Sequence, residues 1–155
     1  MTPQIPATVA ALLERTADHL DRWGLWKRDP YDMDGWRAGT VDPRRTAVCA
    51  DAAISIVGGW LPSLTGPDIE ESPAAAVARR TFADWLITSG LARRVCHHQP
   101  AVTCGDVSCF DVTDTIGGWN DLDNRTLDQV TAALRECAAT LLPRPAIEAP
   151  KEASR

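Results

Sequence analysis

Thr126-Leu127-Asp128-Gln129-Val130-Thr131-Ala132-Ala133-Leu134-Arg135-Glu136-Cys137-Ala138-Ala139-Thr140-Leu141 is the stretch on which the fold class turns. Leu127, Val130, Leu134, Cys137, Ala138 and Leu141 recur at three- and four-residue steps, so they fall on one stripe of a helix. Thr126 followed by Gln129 is a capping box, in which each side chain satisfies a free backbone donor at the helix start. Pro143 and Pro145 end the run, because proline cannot continue a helix.

Upstream, the same period returns three times. Val9, Leu12, Leu13, Thr16, Leu20 and Trp23 form one stripe of a helix over Thr8–Trp23, with Thr8 as the cap after Pro3 and Pro6 and Gly24 as the stop. Cys49, Ala53, Ile56, Val57 and Trp60 share a face of a second helix over Thr46–Val57, ended by Gly58-Gly59. Its small residues Ala47, Ala50, Ala52 and Ala53 imply close approach of a neighbouring helix. A third helix spans Ser72–Ser89, with Ser72 as cap, Pro73 in the first helical position and Asp68, Glu70 and Glu71 placed where the helix dipole favours negative charge. The expected fold is therefore mainly α: four amphipathic helices in a small irregular bundle, with a short β-hairpin near 101–112 where Val102, Val107, Phe110 and Val112 punctuate polar residues. Residues 1–142 form one helical domain, and residues 143–155, rich in Pro, Ala and charge, read as a disordered tail. The connection from Leu25 to Arg45 is long for a compact domain, and Trp26, Tyr31 and Trp36 are expected to fold back over the core.

Composition narrows the classes of function. The chain has 155 residues, 45% hydrophobic and 24% charged, which is globular composition. A formal net charge of −5 disfavours general nucleic-acid binding, since phosphate contacts need a basic face. No apolar run approaches the ~20 residues that span a bilayer. The N-terminus has neither a basic nor an apolar leader region, so the expected location is the cytoplasm. The five cysteines are then reduced thiols.

Three constellations carry candidate chemistry. Gly117-Gly118-Trp119-Asn120-Asp121, followed by Arg125, combines a turn, an aromatic anchor and a polar cluster just before the last helix. Asn120, Asp121 and Arg125 around Trp119 form a candidate site for a small polar or anionic ligand or a protein partner, helped by free amides at the helix start. Those polar groups also suit a helix-entry loop that satisfies its own backbone. The second constellation is Cys49, at a helix opening after Arg44-Arg45, where a thiol's pKa falls. With His98 (or His97) as base and Asn120 (or Asp121) as orienter it assembles a Cys-His-Asn/Asp set for a hydrolase or acyl transferase. On the other side, Cys49 shares its stripe with Ala53 and Ile56, as an inert core thiol would. The third is Cys96-His97-His98 with Cys104 and Cys109. Cys96, His98, Cys104 and Cys109 are the ligand types zinc prefers, but their spacing lacks a paired knuckle, and buried thiols beside a polar loop explain them without a metal.

Cys49-Ala50-Asp51-Ala52-Ala53-Ile54 and Trp119-Asn120-Asp121 with Arg125-Thr126 resemble a family of small uncharacterised actinobacterial and actinophage proteins. That family shows an N-terminal amphipathic helix ending near a Trp, a Cys-Ala-x-Gly-Ala-Ile helix, and a Trp-Asn-Asp…Arg-Thr segment leading into a final helix. Ala52 stands where its pattern has Gly. The resemblance implies a helical fold and brings no activity with it. The leading expectation is a binding, accessory or regulatory module; the alternative is a cysteine-dependent enzyme using Cys49 with a His; the third is a zinc-stabilised module.

Overall fold

The computed structural model describes residues 4–96 and 110–143. Among them lie six α-helices and one 3-10 turn: α1 (Gln4–Trp23), α2 (Met33–Arg37), the turn Pro43–Arg45, α3 (Ala50–Val57), α4 (Pro73–Thr88), α5 (Val112–Asn120) and α6 (Leu127–Thr140). The mainly α fold is therefore as expected, with two helices more than the four foreseen. No strand of a sheet occurs among the described residues; the extended pieces meet only as isolated bridges, such as Leu61 with Ile69 and Cys96 with Phe110. The hairpin expected near 101–112 lies mostly outside the described residues. At its described end Val112 already belongs to α5.

Local rules account for the helix ends. Ser72 caps α4 by accepting from the Ala75 N–H, with Pro73 in the first turn. Thr126 and Gln129 complete both halves of the capping box on α6. α1 begins earlier than its sequence cap, at Gln4. Pro6 falls in its first turn, where a missing N–H removes no helical bond. α3 begins later than expected, because Cys49 itself is the N-cap, its Sγ accepting from the Ala52 N–H at 3.4 Å.

α5 escaped the sequence reading because Gly117-Gly118 looks like a turn. Asp111 caps it by accepting from the Asp114 N–H at 2.8 Å. Thr115, Ile116, Trp119 and Asn120 turn inward, and this stripe outweighs the poor helix propensity of the two glycines.

α1 is the central element, packing most extensively on α6 and also on α3 and α4; α5 packs on α4 and α3. Leu13, Leu20, Ile54, Phe82, Leu86, Ile116 and Leu134 are fully enclosed at the junction. On the surface Arg135 of α6 reaches Asp18 (2.9 Å) and Asp21 (2.7 Å) of α1; such exposed pairs add only tenths of a kcal/mol each. In the long connection, Tyr31 is buried and meets Trp36 edge-on at 5.9 Å and Trp60 at 6.3 Å, so these aromatics do fold back. Trp26 stays 38% exposed.

The tight approach lies just past the end of α3, at Gly58 and not at the alanines from which one was expected. A Cβ added to Gly58 would overlap the Cβ of Ala75 on α4 and press on the Ile54 carbonyl. Gly58→Ala is expected to destabilise the protein by about 2 kcal/mol through this overpacking, read as a lower urea midpoint at unchanged slope.

Candidate functional site

α5 divides its residues between two faces. One stripe is buried in the core. The other, Asp114, Gly117, Gly118 and Asp121, spaced at three and four residues, lines a cleft of about 770 Å³. Across from it stand Cys49, Asp51, Ala52 and Ser55 of α3 and its cap, Trp60 and Glu70 of the loop after α3, and Arg28-Asp29-Pro30 of the long connection. The volume falls within the usual range for small-molecule sites. A smaller depression of about 440 Å³ lies across Asp29-Pro30, with Tyr31 and Asp32 in its wall.

One wall is built on Arg79 of α4. Its Nε donates to Asp51 Oδ1 at 2.8 Å, its Nη2 to Asp51 Oδ2 at 3.0 Å, and its Nη1 to Glu71 Oε1 at 2.9 Å. Nη2 also donates to the Thr113 hydroxyl. Glu71 accepts a further bond from Ser55 Oγ at 2.7 Å. Burial alone would lower the pKa of Arg79, but its bonds to Asp51 and the charges of Asp51 and Glu71 outweigh that and raise it. The guanidinium is thus committed to holding α3, α4 and α5 together; it stiffens the wall more than it offers a hand to a ligand.

The floor is set by Asn120, which is fully buried. Its Oδ1 accepts from the Ala50 N–H at 3.1 Å, and its Nδ2 donates to the Trp26 carbonyl at 3.2 Å and to Asp121 Oδ1 at 2.9 Å. Asp121 Oδ1 in turn accepts from the Arg28 N–H at 2.8 Å. Arg28 has a φ of 75°, the left-handed region that a non-glycine residue seldom adopts. The Asp121 bond holds this strained residue, and so the Arg28-Asp29-Pro30 rim, in place.

The residues singled out from sequence are distributed as follows. Asp121 lines the cleft, whereas Trp119 and Asn120 are enclosed behind it at 2% and 0% exposure. Arg125 stacks on Trp119 at 4.5 Å from the ring centroid, and its Nε donates to the Trp119 carbonyl at 3.4 Å. Phe82 meets the same indole edge-on at 5.8 Å. Cys49 lies on the cleft wall, one residue from the Ala50 amide that Asn120 holds. His97, His98, Cys104 and Cys109 lie outside the described residues; of the zinc set only Cys96 is described, partly buried and bridged to Phe110. Among the described residues no three His, Cys, Asp or Glu side chains converge tightly enough to hold a metal ion, and no helix is long and apolar enough to cross a membrane. Sequence reasoning missed Gly117 and Gly118 as cleft residues. It also missed Arg28, Asp29, Trp60 and Arg79. The Asp111-Val112-Thr113-Asp114 start, with Val112, Ile116 and Trp119 at helical spacing, was the signal for α5; nothing local announces the Arg79 network.

Burial pushes the Cys49 thiol from its ordinary 9.0 up to about 11, opposed by the Ala52 N–H and reinforced by the Asp51 charge. A helix N-terminus would lower it; enclosure wins here.

The chain belongs to a family of unknown function, DUF6197, whose profile matches residues 4–140. No curated protein and no solved structure matches it.

Two outcomes follow from this geometry. Asn120→Ala leaves the buried Ala50 donor without a partner and removes the tie to the Trp26 carbonyl, so a stability loss of about 2 kcal/mol or more is expected in urea unfolding. Cys49 keeps its proton in the folded state up to about pH 11, while the unfolded chain releases it near 9.0. Its stabilising contribution is therefore complete below pH 9.0 and is lost as pH rises through that window. Cys49→Ala should flatten the fall in melting temperature across those pH values; an unchanged slope would contradict the burial argument.

Proposed function

Starting from membership of that family, we propose that the protein is a non-catalytic binding module whose cleft between α3, α4 and α5 receives a small molecule. The observation that carries this reading is the pair Gly117-Gly118. Each glycine inside a helix costs roughly 1 kcal/mol relative to alanine. A Cβ at either position would meet nothing within 4 Å, and neither has a positive φ. Neither packing nor backbone geometry therefore calls for glycine there. Both residues line the cleft, and leaving out their side chains keeps its floor open. Giving up helix stability to keep a site open is a common bargain in proteins that bind.

The alternative, a cysteine-dependent hydrolase or acyl transferase, draws support from one observation: Cys49 sits on the wall of the same cleft. Its raised pKa works against a nucleophilic thiolate, and the cleft lining includes no histidine among the described residues.

A fragment screen on isotopically labelled protein separates the readings. Hits are expected to shift the amide signals of Gly117 and Gly118 and the indole N–H of Trp60 together. Gly117→Ala combined with Gly118→Ala should raise stability by about 1–2 kcal/mol while weakening every such hit. Hits that leave these three signals unmoved would remove the cleft from consideration. Iodoacetamide reacting with Cys49 at pH 7.5 faster than with an unhindered model thiol would favour the enzyme instead.

A further inference from the structure

Among the cavities, charged clusters and exposed apolar residues of the described chain, the cleft's charge and aromatic content carry an inference furthest. Its lining holds six acidic side chains, Asp29, Asp51, Glu70, Glu71, Asp114 and Asp121, against two arginines, Arg28 and Arg79. Asp51 and Glu71 are matched by Arg79. Glu70 and Asp114 are exposed, and together with Asp29 they leave the mouth negative. Asp51 and Asp114 stand in the first turns of α3 and α5, where helix dipoles offset part of the repulsion among these carboxylates. An anion entering the same space would meet those carboxylates with the partly enclosed Arg79 guanidinium already engaged.

Two further features narrow the cation. No three carboxylates, thiols or imidazoles among the described residues converge on a point, so the negative charge is spread over a cavity of about 770 Å³ and suits a larger body than a bare metal ion. Trp60 lines the same cavity, and an indole beside carboxylates attracts ammonium and guanidinium groups through its ring quadrupole. Resting on the binding reading above, we propose that the ligand is a small organic cation, an alkylamine or alkylguanidine. Its charged head lies toward Trp60, Glu70 and Asp114, and its carbon chain runs over the Gly117-Gly118 floor. The sequence alone suggested a polar or anionic ligand beside Arg125; the acids around the cleft point to the opposite sign.

Titration calorimetry on the full chain at low salt, with 1,4-diaminobutane, agmatine and choline set against succinate, inorganic phosphate and glucose, tests this. Binding is expected for at least one cation and for neither anion. It should weaken severalfold between low and physiological salt, as charge screening requires. Glu70→Gln with Asp114→Asn, which keeps shape and removes charge, should weaken it on the order of tenfold, equivalent to about 1.4 kcal/mol. The same pair should leave the melting temperature of the free protein within a few degrees, so a failure to fold is told apart from a loss of binding. Succinate or phosphate binding that shifts the Trp60 indole, or cation binding indifferent to the double substitution, overturns the cation assignment and leaves the cleft as a binding site. No shift of Trp60, Gly117 or Gly118 with any member of this set or of the fragment library overturns both.

Discussion

A single buried carboxamide holds the site together. Asn120 is 0% exposed and ties two pieces of chain far from it in sequence, the first amide of α3 and the carbonyl of Trp26, while also donating to the side chain of its neighbour Asp121. A buried amide is tolerated only when its donors and acceptors are met, so each of these pieces is held at hydrogen-bond distance from the end of α5. Through Asp121 the constraint reaches the strained Arg28 and the rim that follows it. The cleft exists because a polar network inside the core fixes where α3, α5 and the long connection stop.

Arg79 plays the matching part on the opposite wall. Its bonds to Asp51, Glu71 and Thr113 bind three helices through one planar group. Partly enclosed ion pairs of this kind do little for net stability against an apolar substitute, but removing one member leaves the others stranded. Their use here is geometric: the wall keeps one shape. Between these two networks lies α5, amphipathic in an unusual sense. Its inner stripe is packed, and its outer stripe is glycine and carboxylate facing open space. The helix persists because burying Ile116 and Trp119 outweighs the roughly 2 kcal/mol that two glycines cost.

Much of the architecture was legible in the residues. α1, α4 and α6 follow from apolar stripes at helical period; the caps and stops place the ends of α4 and α6, with the capping box of Thr126 and Gln129 as written, while α1 starts at Gln4, ahead of the Thr8 cap. Such features depend on neighbours within four residues, so the local sequence contains the cause. α5 was not legible in the same way. Gly117-Gly118 mimics a turn on propensity, and only the core waiting for Ile116 and Trp119 makes the segment helical. Trp119, Asn120, Asp121 and Arg125 were read as polar groups and an anchor in a loop entering α6, whereas Trp119 and Asn120 end α5 and Asp121 caps it. In the folded chain they separate: one faces the cleft, two face the core, and one stacks on the indole.

By itself, then, the sequence determined helical class, the bodies of three long helices and the ends of α4 and α6, because periodicity and capping are local causes. The tertiary structure alone decided that a glycine pair becomes a cleft floor, that Cys49 loses the acidity its helix position would confer, and that Asp29, Trp60, Glu70 and Asp114 surround one space. These residues are far apart along the chain and carry no shared period. What unites them is the meeting of α3, α4 and α5 around Arg79 and Asn120, a contact between distant segments that exists only once the core has closed.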